Sequence, residues 1–411
     1  MPSDIDAAIP DGCEVTFASV LSRHGARDPT AHKSATYGSL IARLQESVSE
    51  YAKGYEWLQD YEYTLGADQL TAFGVTQMVD SGTVFYSRYR NLVGDAEPFV
   101  RAAGSQRVEE SAEHFVRGFY DAAGSDNADS QLKDILVIPE RDNVNNTLNN
   151  KLCPEFPGSS YSDMIDEKKE AWNKIWVPKI MERLNLKLPG ANLSLDETIF
   201  MMDLCPFESV AHDKVKVSKF CELFSEDEWQ GYDYFQSIGK WYGFGPGHPL
   251  GPTQGVGYVN ELISRLTGKP VDDETSTNST LDTSPETFPL DRKLYADFSH
   301  DNDMTSIYGA LGLYNLTDPL SVTQRMTPQE ADGYSAAWTV PFAGRMYVEK
   351  MQCHDADDEG SEELVRVLMN DRVVTLPNCE ADTLGRCKLS DFVEGLTFAR
   401  NGGQWDQCFI A

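Results

Sequence analysis

Apolar positions along the chain follow two periods. Short apolar runs at 15–21, 98–102, 135–138, 293–298 and 336–349 predict strands, and two such runs flanking Asn370-Asp371 predict a hairpin over 364–376. Helical spacing takes over elsewhere. Residues 105–122 put Val108, Ala112, Phe115, Val116 and Phe119 on one face, and residues 303–314 do so with Met304, Ile307, Tyr308 and Leu311. Residues 71–90 carry Val75, Met78, Val79, Val84 and Phe85 behind Thr71, a residue suited to an N-cap. The stretches 123–131, 243–257 and 270–289 are rich in Gly, Pro, Ser, Asp or Asn and read as loops. Strand signals come early and late, whereas 142–285 is mostly helix and loop. This order predicts an α/β domain built from residues 1–141 and 286–411, carrying the functional pocket and interrupted by a smaller helical insertion at 142–285.

Composition narrows the function. A chain of 411 residues can bury a substantial core, and its 65 acidic against 35 basic residues give a net charge of −30. Such a surface repels nucleic acid and anionic membranes, so an anionic ligand would need basic groups gathered in one place. No run approaches the ~18 consecutive apolar residues of a membrane helix. The eight cysteines form no C-x-x-C pair, and N-x-S/T sequons stand at Asn145, Asn192, Asn278 and Asn315. Together they point to an oxidising, secretory route and a glycoprotein. Residues 1–12 contain neither a basic nor an apolar leader region, which reads as a chain whose signal peptide is absent. No metal or cofactor is expected. The acidic run at 355–360 begins like a calcium loop, but Arg366 stands where the bidentate glutamate belongs.

Three segments share one design, an apolar strand followed by a turn bearing Arg, His or Asp. They are Arg23-His24-Gly25-Ala26-Arg27-Asp28-Pro29-Thr30 after the first strand, Arg101 at the end of the second, and His300-Asp301-Asn302-Asp303 after the run L-Y-A-D-F-S. In open α/β sheets ligands bind beyond the carboxyl ends of strands. If these strands are neighbours, one pocket collects Arg23, Arg27, Arg101, His24, His300 and Asp301. That set suits a phosphoryl group. Arginines hold the charge on its oxygens, a histidine serves as nucleophile, and a carboxylic acid protonates the leaving alkoxide.

The octapeptide at 23–30 and S-H-D-N at 299–302 resemble the histidine acid phosphatase family. The segments at 61–68, 248–257, 287–290, 294–302, 384–389 and 402–409 extend the resemblance over nearly the whole chain, to its secreted fungal phytases. The resemblance implies a six-stranded sheet flanked by helices, with a smaller inserted α-domain. It also implies a secreted enzyme that releases orthophosphate from myo-inositol hexakisphosphate at acidic pH, with the 3-position as the expected point of attack; a monomer is the default expectation. By resemblance His24 would form a phosphohistidine, Asp301 would be the general acid, and Arg23, Arg27, Arg101 and His300 would bind the scissile phosphate, with Lys240 a further substrate contact. It further implies the disulfides Cys13–Cys353, Cys153–Cys408, Cys205–Cys221 and Cys379–Cys387. A broad acid phosphatase on the same scaffold and a non-catalytic phosphate-binding glycoprotein are the alternatives.

Plainer readings exist for some of these residues. His24 could cap a strand, His300-Asp301 could merely open a helix, and a salt bridge explains Arg101 equally well. Lys240, among Trp241, Tyr242 and Phe244, could simply pack its stem. Two departures from the family stand out. Asp28 occupies a position that is normally aromatic, and is expected to face the pocket mouth, pair with Arg27 or Arg23 and titrate low. The lysines following the octapeptide are thinned to Lys33, and a Lys-Lys pair is reduced to Gly239-Lys240, which implies a weaker grip on outer phosphates.

Overall fold

The computed structural model describes residues 3–93, 97–125, 128–156, 161, 163–212, 215–353 and 362–409. The acidic run at 355–360 and His354 therefore lie outside the described residues. The strands are β1 (Cys13–Arg23), β2 (Phe99–Gly104), β3 (Leu136–Pro139), β4 (Leu294–Ser299), β5 (Arg345–Cys353), β6 (Glu362–Met369), β7 (Arg372–Val374) and β8 (Arg386–Lys388). The helices that matter here are α1 (Ala31–Ser47), α2 (Ala72–Tyr89), α3 (Gln106–Ala123), α4 (Ala128–Gln131), α5 (Met164–Lys187), α6 (Leu195–Ser209), α7 (Glu226–Gly243), α8 (Val256–Thr267), α9 (Ser279–Asp282), α10 (Asp301–Ala310) and α11 (Ala336–Thr339).

The strands form one sheet in the order β3-β2-β4-β1-β5-β6-β7, and β8 also pairs with β6. Among the described residues the sheet has eight strands rather than the six expected. β7 and β8 are three residues each, too short to show a period of two, and they share the outer edge of β6. β3, β2, β4 and β1 run parallel, and β5 joins β1 antiparallel. The β6–β7 turn has Asn370 and Asp371 at φ 47° and 63°, the left-handed pair that a tight hairpin demands. The strand expected over 336–349 begins only at Arg345, because 336–339 form the short helix α11.

Local rules account for the helices that frame the sheet. The Thr71 hydroxyl accepts from the Gly74 amide and starts α2. Gly124, left-handed at φ 64°, ends α3. α2 and α3 pack against each other and on the sheet, through Met78, Phe85, Phe115 and Phe119.

Packing departs from the proposed boundaries at 141 and 285. Tyr37, Leu40, Ile41 and Leu44 of α1 join Ile180, Leu184, Met201 and Met202 of α5 and α6 in a helical core. Val256, Val259, Leu262 and Leu266 of α8 join the sheet core instead. A third cluster links Trp172 and Val177 of α5, Tyr234 and Trp241 of α7, and Leu320 and Tyr334. The chain therefore crosses between the two parts more often than strand density reveals.

The cysteines pair as Cys13–Cys353, Cys153–Cys408, Cys205–Cys221 and Cys379–Cys387. The first pair joins facing residues of β1 and β5. Of the sequon asparagines, Asn192 and Asn315 are exposed. The half-buried amides of Asn145 and Asn278 instead pin adjacent loops, donating to Thr277 O and Asn145 O.

Arg101 requires a correction. It lies three residues before the end of β2, in register with Asp297 on β4, so the two side chains stand side by side within the core. Its Nε donates to Asp297 Oδ1 at 2.8 Å and its Nη2 to Glu261 Oε2 at 2.6 Å, while Arg265 Nη1 reaches Asp297 Oδ2 at 2.6 Å. Arg101 is 1% exposed. Its donors are spent on buried carboxylates, which makes it a structural ion pair rather than a phosphate ligand. Arg101→Met is therefore expected to destabilise the fold by about 3–5 kcal/mol, because buried carboxylates lose their counter-charge. Chemical denaturation measures this, and the KM of the folded fraction for an aryl phosphate should be unaltered.

Candidate active site

β1 and β4 are parallel neighbours with Arg23 opposite Ser299, so His24 and His300 leave the sheet at the same edge. Their rings face each other edge to face, 5.6 Å between centroids. The Gly25 turn is held between strand and helix. Gly25 N–H donates to Ser111 Oγ at 3.1 Å and Ala26 N–H to Gln77 Oε1 at 2.9 Å. A Cβ at Gly25 would lie 2.5 Å from the Gly74 carbonyl oxygen, so the turn and the start of α2 approach as closely as they do only without side chains.

His24 is buried, and its Nδ1 sits 2.8 Å from the Gly25 carbonyl. A carbonyl only accepts, so Nδ1 carries the ring proton and Nε2 keeps its lone pair. Burial, then the Arg23 charge, then His300 hold the imidazole well below its ordinary pKa. His24 is thus a fixed imidazole whose neutral form is favoured, with Nε2 free.

Around it stand more cations than anions. Arg23 Nη1 donates to Val340 O at 2.6 Å, its Nη2 lies 3.2 Å from Asp301 Oδ2, and its guanidinium covers the Phe342 ring at 4.4 Å. Arg27 Nη1 donates to the Asp28 carbonyl at 2.7 Å. The third guanidinium is Arg107, in the first turn of α3, with Nη2 3.4 Å from His300 Nδ1. Burial, then the like charges of Arg23 and Arg107, push Arg27 down to about 10. Among the described residues the Nε groups of Arg23, Arg27 and Arg107 are all buried without a partner. Three guanidiniums lying in one another's fields, each with an orphaned N–H group, form a cradle for a multiply charged oxyanion.

Sequence pattern alone passes over Arg107, because it puts Arg101 at the strand end, where a ligand residue is expected. The available signal was the turn Gly104-Ser105 followed by Arg107, an arginine in the first turn of a helix that follows a parallel strand. Arg107→Ala is expected to lower kcat/KM about 10²- to 10³-fold on any phosphomonoester, as loss of one transition-state donor does. Steady-state kinetics beside Arg101→Met separates the two arginines.

Asp301 opens α10 and faces the cations. Lys240 Nζ lies 2.6 Å from Asp301 Oδ2 and 2.6 Å from Asn302 Oδ1, so Lys240 does more than pack its stem. Burial works to raise the Asp301 pKa, but Arg23 and Lys240 hold it well below the usual carboxylate range. His300 Nε2 donates to Glu140 Oε1 at 2.7 Å. With Arg107 at its other nitrogen, His300 can meet a phosphate only after the Arg107 contact opens. Burial pushes the Asp303 carboxyl up to about 7, so in acid it adds no competing negative charge.

Asp28 differs from expectation. Its Oδ1 accepts from Gly66 N–H at 3.2 Å, and a Cβ at Gly66 would lie 2.4 Å from its Oδ2. The side chain faces the 61–68 segment rather than the arginines. Burial raises its pKa, and the Gly66 amide and Arg27 only moderate that rise. Pro29 holds the backbone extended, which aims this side chain across to the neighbouring segment.

The parallel half of a mixed sheet, with a buried histidine, an arginine cradle and a carboxyl group at one strand edge, has the makings of a phosphoryl-transfer site. The family model described as "Histidine phosphatase superfamily (branch 2)" matches residues 14–370. The chain belongs to this family. It is 52% identical to Phytase A of Emericella nidulans over 411 residues, covering 99% of this chain and 87% of the relative. It is 50% identical to Phytase A of Aspergillus oryzae over 413 residues, again covering 99% and 87%. Among solved structures, the phytase from D. castellii superposes with a TM-score of 0.78 at 21% identity, covering 99% of this chain and 85% of that one. Multiple inositol polyphosphate phosphatase of Bifidobacterium longum, in complex with inositol hexasulfate, gives 0.66 at 17%, covering 94% and 93%.

Proposed function

We propose that the protein is a phytase, a phosphomonoester hydrolase that releases orthophosphate from myo-inositol hexakisphosphate through a phosphohistidine. The observation that carries this reading is the free Nε2 of the buried His24 beside the charges of Arg23 and Arg27, with Arg107 at the neighbouring His300. A phosphate seated on the guanidiniums puts phosphorus in front of that nitrogen. Nε2 attacks, the P–O ester bond breaks, and the leaving inositol oxygen takes the proton of Asp301. Water then attacks the phosphohistidine, giving its proton to the Asp301 carboxylate. His24 is released neutral, Asp301 is again protonated, and orthophosphate departs.

The free site must be loaded with a proton before this cycle starts. Arg23 and Lys240 keep Asp301 ionised while the pocket is empty. A bound phosphate dianion cancels their field and raises the carboxyl, so substrate and proton enter together. Acidic conditions favour that uptake. The relatives' names support the hexakisphosphate as substrate, and resemblance supports the 3-position as first attacked. The reacting groups come from a single chain, so the site is complete in a monomer. Four disulfides support a secreted protein, and among the described residues no helix is long and apolar enough to cross a membrane. Phosphate release from the hexakisphosphate and from an aryl phosphate, across acid and neutral pH with product isomers identified, tests the reading. Preference for the aryl phosphate would turn it into that of a broad acid phosphatase.

A further inference from the structure

The loop between α11 and β5, residues 340–344, takes no part in the proton and phosphate chemistry, yet it is fastened to the catalytic turn along its length. Val340 O accepts from Arg23 Nη1 at 2.6 Å, Gly344 O accepts from the Arg23 backbone N–H at 2.8 Å, and Ala343 N–H donates to His24 O at 3.0 Å. The root of the loop is fixed as well, since Asn370 Nδ2 donates to Trp338 O at 2.7 Å and to Thr339 O at 3.2 Å. Ala343 holds φ 54°, a left-handed conformation that a residue with a Cβ rarely adopts. Such strain persists only where the surroundings impose it. Here it lets residue 343 reach His24 while residue 342 stays among the arginines.

The side chain held there is Phe342. Arg23 Cζ lies over its ring, 4.4 Å from the centroid, and Arg27 Cζ stands 5.9 Å from the same centroid. The His24 ring is 5.9 Å away, tilted by 45°, and Phe207 of α6 lies at 6.4 Å. One ring thus neighbours both cations and the nucleophile. The π face of an aromatic ring attracts a cation through its quadrupole, more strongly where water is excluded. Burial works against the Arg23 charge, Asp301 counters it, and Arg107 adds to it. Asp301 supports Arg23 only while ionised, and in the proposed cycle it is protonated before the attack. The ring remains. A carboxylate in its place would hold the arginines but compete with phosphate for their charge, whereas a ring attracts them with no formal charge and no titration.

We infer that Phe342 is a positioning residue, whose ring holds Arg23 and Arg27 in place for the scissile phosphate by cation–π attraction. The inference rests on the proposed function and adds to it a residue that neither gives nor takes a proton. Both arginines serve the phosphate being cleaved, so the effect belongs to every phosphomonoester and not to the hexakisphosphate alone.

The test replaces Phe342 in the full chain by leucine, by tyrosine and by pentafluorophenylalanine. Leucine fills much of the space without a π face, and pentafluorophenylalanine keeps the ring but inverts its quadrupole. In Phe342→Leu and in the pentafluoro protein, kcat/KM for both the hexakisphosphate and an aryl phosphate is expected to fall about 5- to 30-fold, and the inhibition constant of inorganic phosphate to rise in parallel. Phe342→Tyr keeps the π face and should stay within about twofold of the parent. An active parent whose pentafluoro protein retains its kcat/KM and its affinity for inorganic phosphate would overturn the inference alone, by marking the ring as packing only, whatever the leucine variant does. A parent that hydrolyses neither substrate would overturn the proposed function and this inference together.

Discussion

His24→Ala is expected to abolish phosphate release from every substrate while leaving the protein able to bind inorganic phosphate. The arginine cradle does not depend on the imidazole: Arg23 is held by Val340 O and Phe342, and Arg27 by the Asp28 carbonyl. Alanine removes the atom that forms the covalent bond, and no other side chain offers a free lone pair at that point. His300, the nearest alternative, has its ring nitrogens at Glu140 and Arg107. Residual turnover above a hundredth of the parent, a loss of less than ~2.7 kcal/mol of transition-state stabilisation, would rule out the nucleophilic role. Acid quenching of the parent during turnover of labelled substrate should trap a phosphohistidine that the variant never forms. Burial and Arg23 favour the neutral form of this nucleophile, holding its pKa well below the ordinary value.

Asp301→Asn should slow hydrolysis of the hexakisphosphate by about 10²- to 10⁴-fold. An amide can hold the Lys240 ammonium as a hydrogen-bond acceptor, but it cannot give up a proton to an alkoxide. An aryl leaving group is already a weak base and needs that proton much less, so the loss on an aryl phosphate should be far smaller. Equal losses would mean that Asp301 merely positions Lys240 and Arg23. The pH dependence carries a sign. In the free site Asp301 is ionised because its cationic neighbours depress its pKa, and bound phosphate reverses this depression. In the parent, kcat should therefore fall as pH rises through the carboxyl's value in the complex. That descending limb should be absent in Asp301→Asn, which has no proton to lose there.

The chemistry readable along the chain is the part that lies contiguously. Arg23, His24, Arg27 and His300-Asp301 each sit within a few residues of a strand end. The hydrophobic run of β1 or β4 places the end, and the next residues must then face the edge of the sheet. The left-handed Asn370-Asp371 turn and the Thr71 cap were legible for the same reason, since a hairpin and a cap depend on neighbours in sequence. Charge and cysteine content likewise bounded the partners and the compartment without reference to any contact.

Tertiary structure alone decided the rest. Arg101 and Arg107 are six residues apart on one strand–helix unit, and nothing local says which enters the pocket. The register of β2 on β4 sets Arg101 against Asp297 and consumes it, and the turn beyond Gly104 then carries Arg107 to the edge. Asp28 was read by its sequence neighbours Arg27 and Pro29, yet its carboxylate is governed by Gly66, brought alongside by the 61–68 segment. Phe342 shows the same limit. It stands near the opposite end of the chain from Arg23 and Arg27, and only the pairing of β5 with β1 brings its ring beneath their guanidiniums. A periodic pattern determines which face of an element is buried. It carries no information about which distant element covers that face, and the electrostatics of a site depend on that second choice.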